Sequence, residues 1–239
     1  MNQEYKYEKK LVAFVDILGF RNKTDVTEGD AKKPVHLMLS QIRQYIRMHN
    51  HTSIINIPNS HYYVFSDSSM LSAKKDDFDN LIYIIAQLQF LTATNGFFLR
   101  GGLTYDYIYD ENEYFYGRGM NRAYEMESKE AKYPRIIVDT KDEIYDYVRN
   151  NDYLLQDEDG KYYINFLREV NSEAVRIRKI DLYRNYNYDS VRRNILRELY
   201  EKDNNNEVKA KYIWLAKYFN DFLRNNDVGC ETININGLT

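Results

Sequence analysis

Short apolar runs alternate with amphipathic stretches along most of the chain. Lys9 to Phe14, Lys-Lys-Leu-Val-Ala-Phe, reads as a buried strand. It leads into Val15-Asp16-Ile17-Leu18-Gly19-Phe20 and a polar loop, so Asp16 is expected at the strand's carboxyl end. Behind Pro34, apolar residues at Val35, Leu37, Leu39, Ile42, Tyr45 and Ile46 predict a helix over Val35 to Met48. Ser53 to Pro58, His61 to Phe65 and Ser69 to Ala73 are β-rich runs, and Ser66-Asp67-Ser68 between the last two predicts a hairpin with Asp67 at or near its turn. Leu81, Ile84, Ile85, Leu88 and Leu91 fall at helical intervals within Phe78 to Thr94, and Asn95-Gly96 supplies the carboxyl cap.

Phe97 to Tyr105 is expected as a strand interrupted at Gly101-Gly102, followed by a tyrosine-rich loop or hairpin from Tyr107 to Tyr116. A helix over Gly119 to Lys129, a short buried strand over Arg135 to Val138 and a helix near Lys141 to Tyr147 complete an α/β pattern with mixed strands. Beyond it, Asp157-Glu158-Asp159-Gly160 marks a tight turn inside Leu154 to Phe166. Helices are expected at Ser172 to Ile177, Tyr188 to Lys202 and Val208 to Arg224. Residues 1–150 are thus expected to form the α/β unit, and residues 151–239 a hairpin and helical extension packed on it.

Composition narrows the function. The net charge is −3, with 33 basic against 36 acidic residues, so no bulk cationic field attracts nucleic acid or an anionic membrane. Leu81 to Ala93, the most apolar helical stretch, is too short to span a bilayer. Cys230 is the one cysteine, which excludes an intrachain disulfide and a paired-cysteine metal site and fits a cytoplasmic setting. His36, His49, His51 and His61 form no zinc-like spacing.

Chemistry is concentrated in two carboxylates. Asp16 and Asp67 can lie side by side if their strands are neighbours, an arrangement that suits two divalent cations bridging phosphate oxygens. Hard oxygen ligands favour Mg2+ or Mn2+ over zinc. Gly19 leaves room where a phosphate must approach the loop closely. The plain alternative is a strand-ending turn whose Asp caps the next helix. Arg100, at a strand's end, can reach phosphate or pair with a carboxylate at the core's edge.

Four segments in order carry a family resemblance. Phe14-Val15-Asp16-Ile17-Leu18-Gly19-Phe20 resembles the opening signature of class III adenylyl and guanylyl cyclases. Phe65-Ser66-Asp67 is similar to that family's hairpin, Leu99 to Thr104 to its Arg-x-Gly strand, and Gly117 to Ala123 to its Gly-x-x-Val-Asn-x-Ala helix start. The resemblance implies a ferredoxin-like palm sheet with flanking helices, working as a homodimer whose two shared active sites draw residues from both subunits. It implies that Asp16, Asp67 and the Ile17 carbonyl hold the metals, that the Gly19-Phe20 backbone contacts the triphosphate, and that Asn121 orients the ribose.

Three positions depart from the family. Its transition-state Arg, four residues after Asn121, is Glu125 here. The two purine-reading positions are Tyr63 and Tyr114. A bulky phenol leaves less room for a two-ring base, and this departure resembles the pyrimidine cyclases of bacterial antiphage Pycsar systems, as does Ala123-Tyr124-Glu125-Met126-Glu127. The implied substrate is UTP more than CTP, and the implied product a cyclic mononucleotide signal. With 24 tyrosines in the chain, packing remains an equal account of Tyr114 and a competing one of Tyr63. Glu125 leaves open a domain that binds nucleotide without cyclising it.

Overall fold

A computed structural model describes residues 6–24, 35–36, 38–40, 42, 61–111, 114–171, 181–201, 205–226 and 228–237. The run expected over Ser53 to Pro58, the helix over Ser172 to Ile177 and most of the helix over Val35 to Met48 lie outside them; residues 35–36, 38–40 and 42 are helical.

Seven strands form one mixed sheet in the order β2-β3-β1-β4-β5-β7-β6. They are β1 (Glu8–Ile17), β2 (His61–Phe65), β3 (Ser68–Ala73), β4 (Leu99–Ile108), β5 (Ile136–Val138), β6 (Leu154–Gln156) and β7 (Tyr162–Ile164). β4 and β5 run parallel, and the other pairs are antiparallel. Centrally placed β1 is buried over Lys10 to Val15, as its unbroken apolar run requires.

The helices are α1 (Phe20–Thr24), α2 (Phe78–Thr94), α3 (Arg118–Glu125), α4 (Asp142–Asn150), α5 (Asp181–Leu199) and α6 (Asn206–Asn226). Period two in β1 sends Leu11, Ala13, Val15 and Ile17 into the large core with α2, α5 and α6, whereas Val12 and Phe14 face the opposite side with Ala123 of α3. α2 occupies the predicted span and ends at Asn95 and Gly96, the latter at φ +83°. α5 begins seven residues before the expected start.

β4 corrects one expectation. It runs without interruption through Gly101 and Gly102, because these glycines serve close packing and not a break. A Cβ on Gly101 would collide with the Phe14 carbonyl oxygen; one on Gly102 would collide with Met126 and meet the Ala123 carbonyl at 2.8 Å. At Gly102, α3 can therefore lie directly on β1 and β4, and it continues into a π-turn over Met126–Glu130.

At the far edge, fully buried Arg135 pairs with Asp157 and Asp159 of the β6–β7 hairpin. Its guanidinium lies 5.2 Å from the Tyr133 ring and 5.5 Å from the Trp214 ring of α6. Trp214 in turn donates to Asp157 at 2.8 Å.

Candidate active site

Strand register assembles the site. Phe65, Ser68, Asp16 and Arg100 lie directly opposite one another across β2, β3, β1 and β4. Residues opposite one another in antiparallel strands share a face, so Asp16 and Arg100 project on the side covered by α3. Asp67 occupies the β2–β3 turn one residue before Ser68, and its carbonyl accepts the Ile17 N–H at 3.2 Å. The hairpin closes through Ser66 at φ +55°, the left-handed conformation that a two-residue turn between antiparallel strands demands.

The two carboxylates thus meet at the ends of neighbouring strands. Ser68 Oγ donates to Asp16 Oδ1 at 3.2 Å. Partial burial, with the charges of Asp67 and Glu127 added, pushes the Asp16 carboxyl up to about 6, against the opposing pull of Ser68 and Arg100. Arg100 itself is ion-paired with Glu127, which is 4% exposed. The carboxylate-pairing alternative for Arg100 is what the geometry contains.

Such a pair fits a hard divalent cation: two oxygen donors that repel when ionised lose that repulsion on sharing a metal. Ile17 buries its side chain in the core, so only its carbonyl can serve as a ligand. Among the described residues no cluster of three His, Cys, Asp or Glu side chains forms a ready-made metal cage. Any ion here would complete its shell with substrate phosphate or water.

Gly19, exposed at φ +69°, turns the chain between β1 and α1, and a Cβ there would meet nothing within 4 Å. The open space leaves the loop backbone approachable, while the positive φ is itself a sufficient reason for glycine. Phe20 opens α1 and packs its ring against the core, which leaves its backbone as the part a ligand could touch.

One pleat further from Asp16, Tyr63, Met70, Phe14 and Gly102 form the next row on the same face. Strand spacings put the Cα atoms of Tyr63 and Asp16 about 12 Å apart. The Tyr63 ring packs against Phe115 at 5.1 Å and 57°. Its sequence neighbour Tyr114 is 62% exposed.

Asn121 is exposed on α3, with its N–H bonded to the Gly117 carbonyl at 3.1 Å. Among the described residues no hydrogen bond or ion pair joins Asn121 or Tyr114 to Asp16 or Asp67. Glu125, one turn beyond Asn121, is exposed and holds Lys129 at 3.1 Å and Arg122 at 3.8 Å. Arg122 is also committed to Glu130 and, at 3.5 Å, to Asp139. Arg118 bonds Asp106 at 2.8 Å.

Sequence reasoning gave Ser68, beside Asp67, to turn packing alone and missed Glu127 and Phe115 as neighbours of the site. Ser68 was accessible from strand period, because the residue after a two-residue turn pairs back toward β1. Glu127 and Phe115 come from a π-turn and a loop, where no simple period applies.

The chain is similar in structure to the catalytic core of a rhodopsin-guanylyl cyclase with converted specificity in complex with ATPαS. That likeness has 17% identity and a TM-score of 0.47 and covers 66% of this chain and 95% of that one. It is also similar to two structures of bacterial light-regulated adenylyl cyclase, each at 16% identity. The TM-scores are 0.46 and 0.48, with 70% and 77% of this chain and 96% and 59% of theirs covered. No protein-family model and no curated sequence matches the chain. Among the described residues no helix is long and apolar enough to cross a membrane.

Proposed function

We propose that the chain is a nucleotidyl cyclase that converts a pyrimidine nucleoside triphosphate, UTP in preference to CTP, to a 3′,5′-cyclic mononucleotide and pyrophosphate. The observation that carries the reading is the placement of Asp16 beside Asp67 on adjoining strand ends, with the Asp16 carboxyl pushed up to about 6 by burial and by its neighbour. Two divalent cations, Mn2+ or Mg2+, held by these carboxylates and the Ile17 carbonyl, would acidify the attacking hydroxyl and neutralise the leaving pyrophosphate. The 3′-hydroxyl gives up its proton to solvent water, the O3′–Pα bond forms as the bond from Pα to its bridging oxygen breaks, and the charge leaves with pyrophosphate.

Within this scheme the Gly19-Phe20 backbone borders the triphosphate and Asn121 orients the ribose. Arg100 screens the Asp16 carboxylate while paired with Glu127. By the family resemblance, Asn121 and the base-facing Tyr63 and Tyr114 act on the site of a second subunit, which requires a homodimer with two shared sites. The catalytic residues then all belong to residues 1–150, with residues 151–239 packed on that unit. By the Pycsar resemblance, the product serves as a second messenger in antiphage defence inside the cell.

A second reading rests on Glu125, whose carboxylate stands where the resembled family carries its transition-state Arg: a sensor that binds a metal-complexed triphosphate without turnover. Incubation with ATP, GTP, CTP and UTP plus Mn2+, read by mass spectrometry, separates the two. A cyclic pyrimidine mononucleotide, lost in Asp16→Ala and Asp67→Ala, is the expected result. A product with two or more bases would point to an oligonucleotide synthase on a related palm, and binding without any product would favour the sensor.

A further inference from the structure

Behind Tyr63 lies a buried polar cluster that the proposed chemistry does not use. Asp110 is 3% exposed, and its carboxylate accepts Lys10 Nζ at 2.6 Å, accepts Ser72 Oγ and faces His61 Nδ1 at 3.1 Å. Lys10 is itself buried, 6% exposed, and Ser72 is fully buried. These partners come from β1, β2 and β3, and His61 stands directly opposite Ser72 two residues before Tyr63.

Asp110 also begins the segment that reaches Phe115. The segment is closed at its base by paired backbone bonds between Tyr109 and Tyr116, at 2.8 and 3.0 Å, and Tyr114 N–H bonds the Glu111 carbonyl at 2.9 Å. Phe115 packs with Met70 and Met120 against the small cluster of Val12, Phe14, Ile108 and Ala123, and its ring meets that of Tyr63. One carboxylate therefore ties Lys10 of β1 and Ser72 of β3, the strand that pairs with β2, to the start of the segment whose ring meets Tyr63. A buried ion pair is a poor source of stability compared with an apolar replacement, because desolvation offsets its attraction; what it supplies here is a fixed geometry.

We propose that Asp110 and Phe115 are positioning residues for base selectivity: Asp110 fastens its own segment, at the Tyr109–Tyr116 base, to β1 and β3 beside β2, and Phe115 sets the Tyr63 ring against which a one-ring base is chosen over a two-ring base. The proposal rests on the cyclase reading above and on Tyr63 facing the base. Neither residue touches the reacting phosphate, so their loss acts through Tyr63 and on selectivity.

The test compares kcat/KM for UTP and for ATP, with Mn2+, in the full-length protein and in Phe115→Leu, Asp110→Asn and the charge-balanced pair Asp110→Asn with Lys10→Met. The expected outcome is a fall of at least about tenfold in the UTP-to-ATP ratio, the size of one lost pocket contact. The fall should appear in Phe115→Leu even if the Asp110 variants fail to fold. An unchanged ratio in Phe115→Leu, or an equal loss on both substrates in every folded variant, overturns the proposal while the wild-type turnover keeps the cyclase reading. A wild-type protein inactive on all triphosphates removes the cyclase reading, and the proposal falls with it.

Discussion

Asp16 faces Asp67 and Glu127 with only part of its carboxylate in water, and this sets its proton affinity. The folded value of about 6 lies above the ordinary 3.8, so the folded state holds the proton more tightly than the unfolded chain. Its contribution to metal-free stability is fully present below pH 3.8 and is lost as pH rises through 6. Asp16→Asn should remove that loss. In EDTA at pH 7.5 the variant should melt at a higher temperature than wild type, being more stable by about 1 kcal/mol after discounting for solvent screening. Added Mn2+ should raise the wild-type melting temperature and leave the variant's unchanged, and equal responses would remove the metal from this carboxylate. Glu125 gives a second prediction at this scale. Glu125→Arg restores a cation one turn from Asn121 and should raise kcat by tenfold or more, given the roughly hundredfold effect of one transition-state donor; pre-steady-state product formation reads it directly.

Among the elements, α3 depends on what lies beneath it. Gly102 lets it approach β1 and β4, and a methyl group there would press on Met126 and on the Ala123 backbone. Gly102→Ala should cost about 2–3 kcal/mol by overpacking, measured by urea melts, and should lower activity by displacing Asn121. The first turn of α3 is anchored through Asp106, which bonds Arg118 and Lys141, each at 2.8 Å. Burial alone would raise this carboxyl, but Lys141, the Tyr107 N–H and Arg118 together bring it down to about 2. The stability it contributes is present above pH 3.8 and is lost as pH falls toward 2. Asp106→Asn should flatten the stability profile across that window, and a profile that kept its acid limb would assign the loss to another carboxylate.

Across the whole molecule, one sheet and one large core join the early strands to the late helices. The core cluster includes Leu11 of β1, Ile85 of α2, Val191 of α5 and Phe219 of α6. Arg135, sealed between two aspartates and the rings of Tyr133 and Trp214, fastens the β6–β7 hairpin to α6. Arg135→Ala should destabilise the whole chain by about 3–5 kcal/mol, because it leaves partly buried Asp157 without its cation and removes the buried cation between the rings. A single cooperative melt at lower temperature is the expected trace, whereas a separate early transition would mean that the late helices unfold alone.

The sequence by itself determined the elements with a clean period. The β1 run, the α2 span to the residue and the hairpin that bears Asp67 follow from alternation, helical spacing and turn chemistry, which act over a few residues. It also placed Asp16 and Asp67 at strand ends and turns, where a half-buried carboxylate can still act. Only the tertiary structure decided that Arg100 pairs with Glu127, that Phe115 and not Tyr114 meets Tyr63, and that Gly101 serves strand packing and Gly102 helix packing inside an unbroken strand. Each of these depends on groups distant in sequence being brought together by register and helix docking. Local pattern carries no record of such distances, because the same glycine pair or arginine satisfies several environments until the sheet fixes which neighbour it meets.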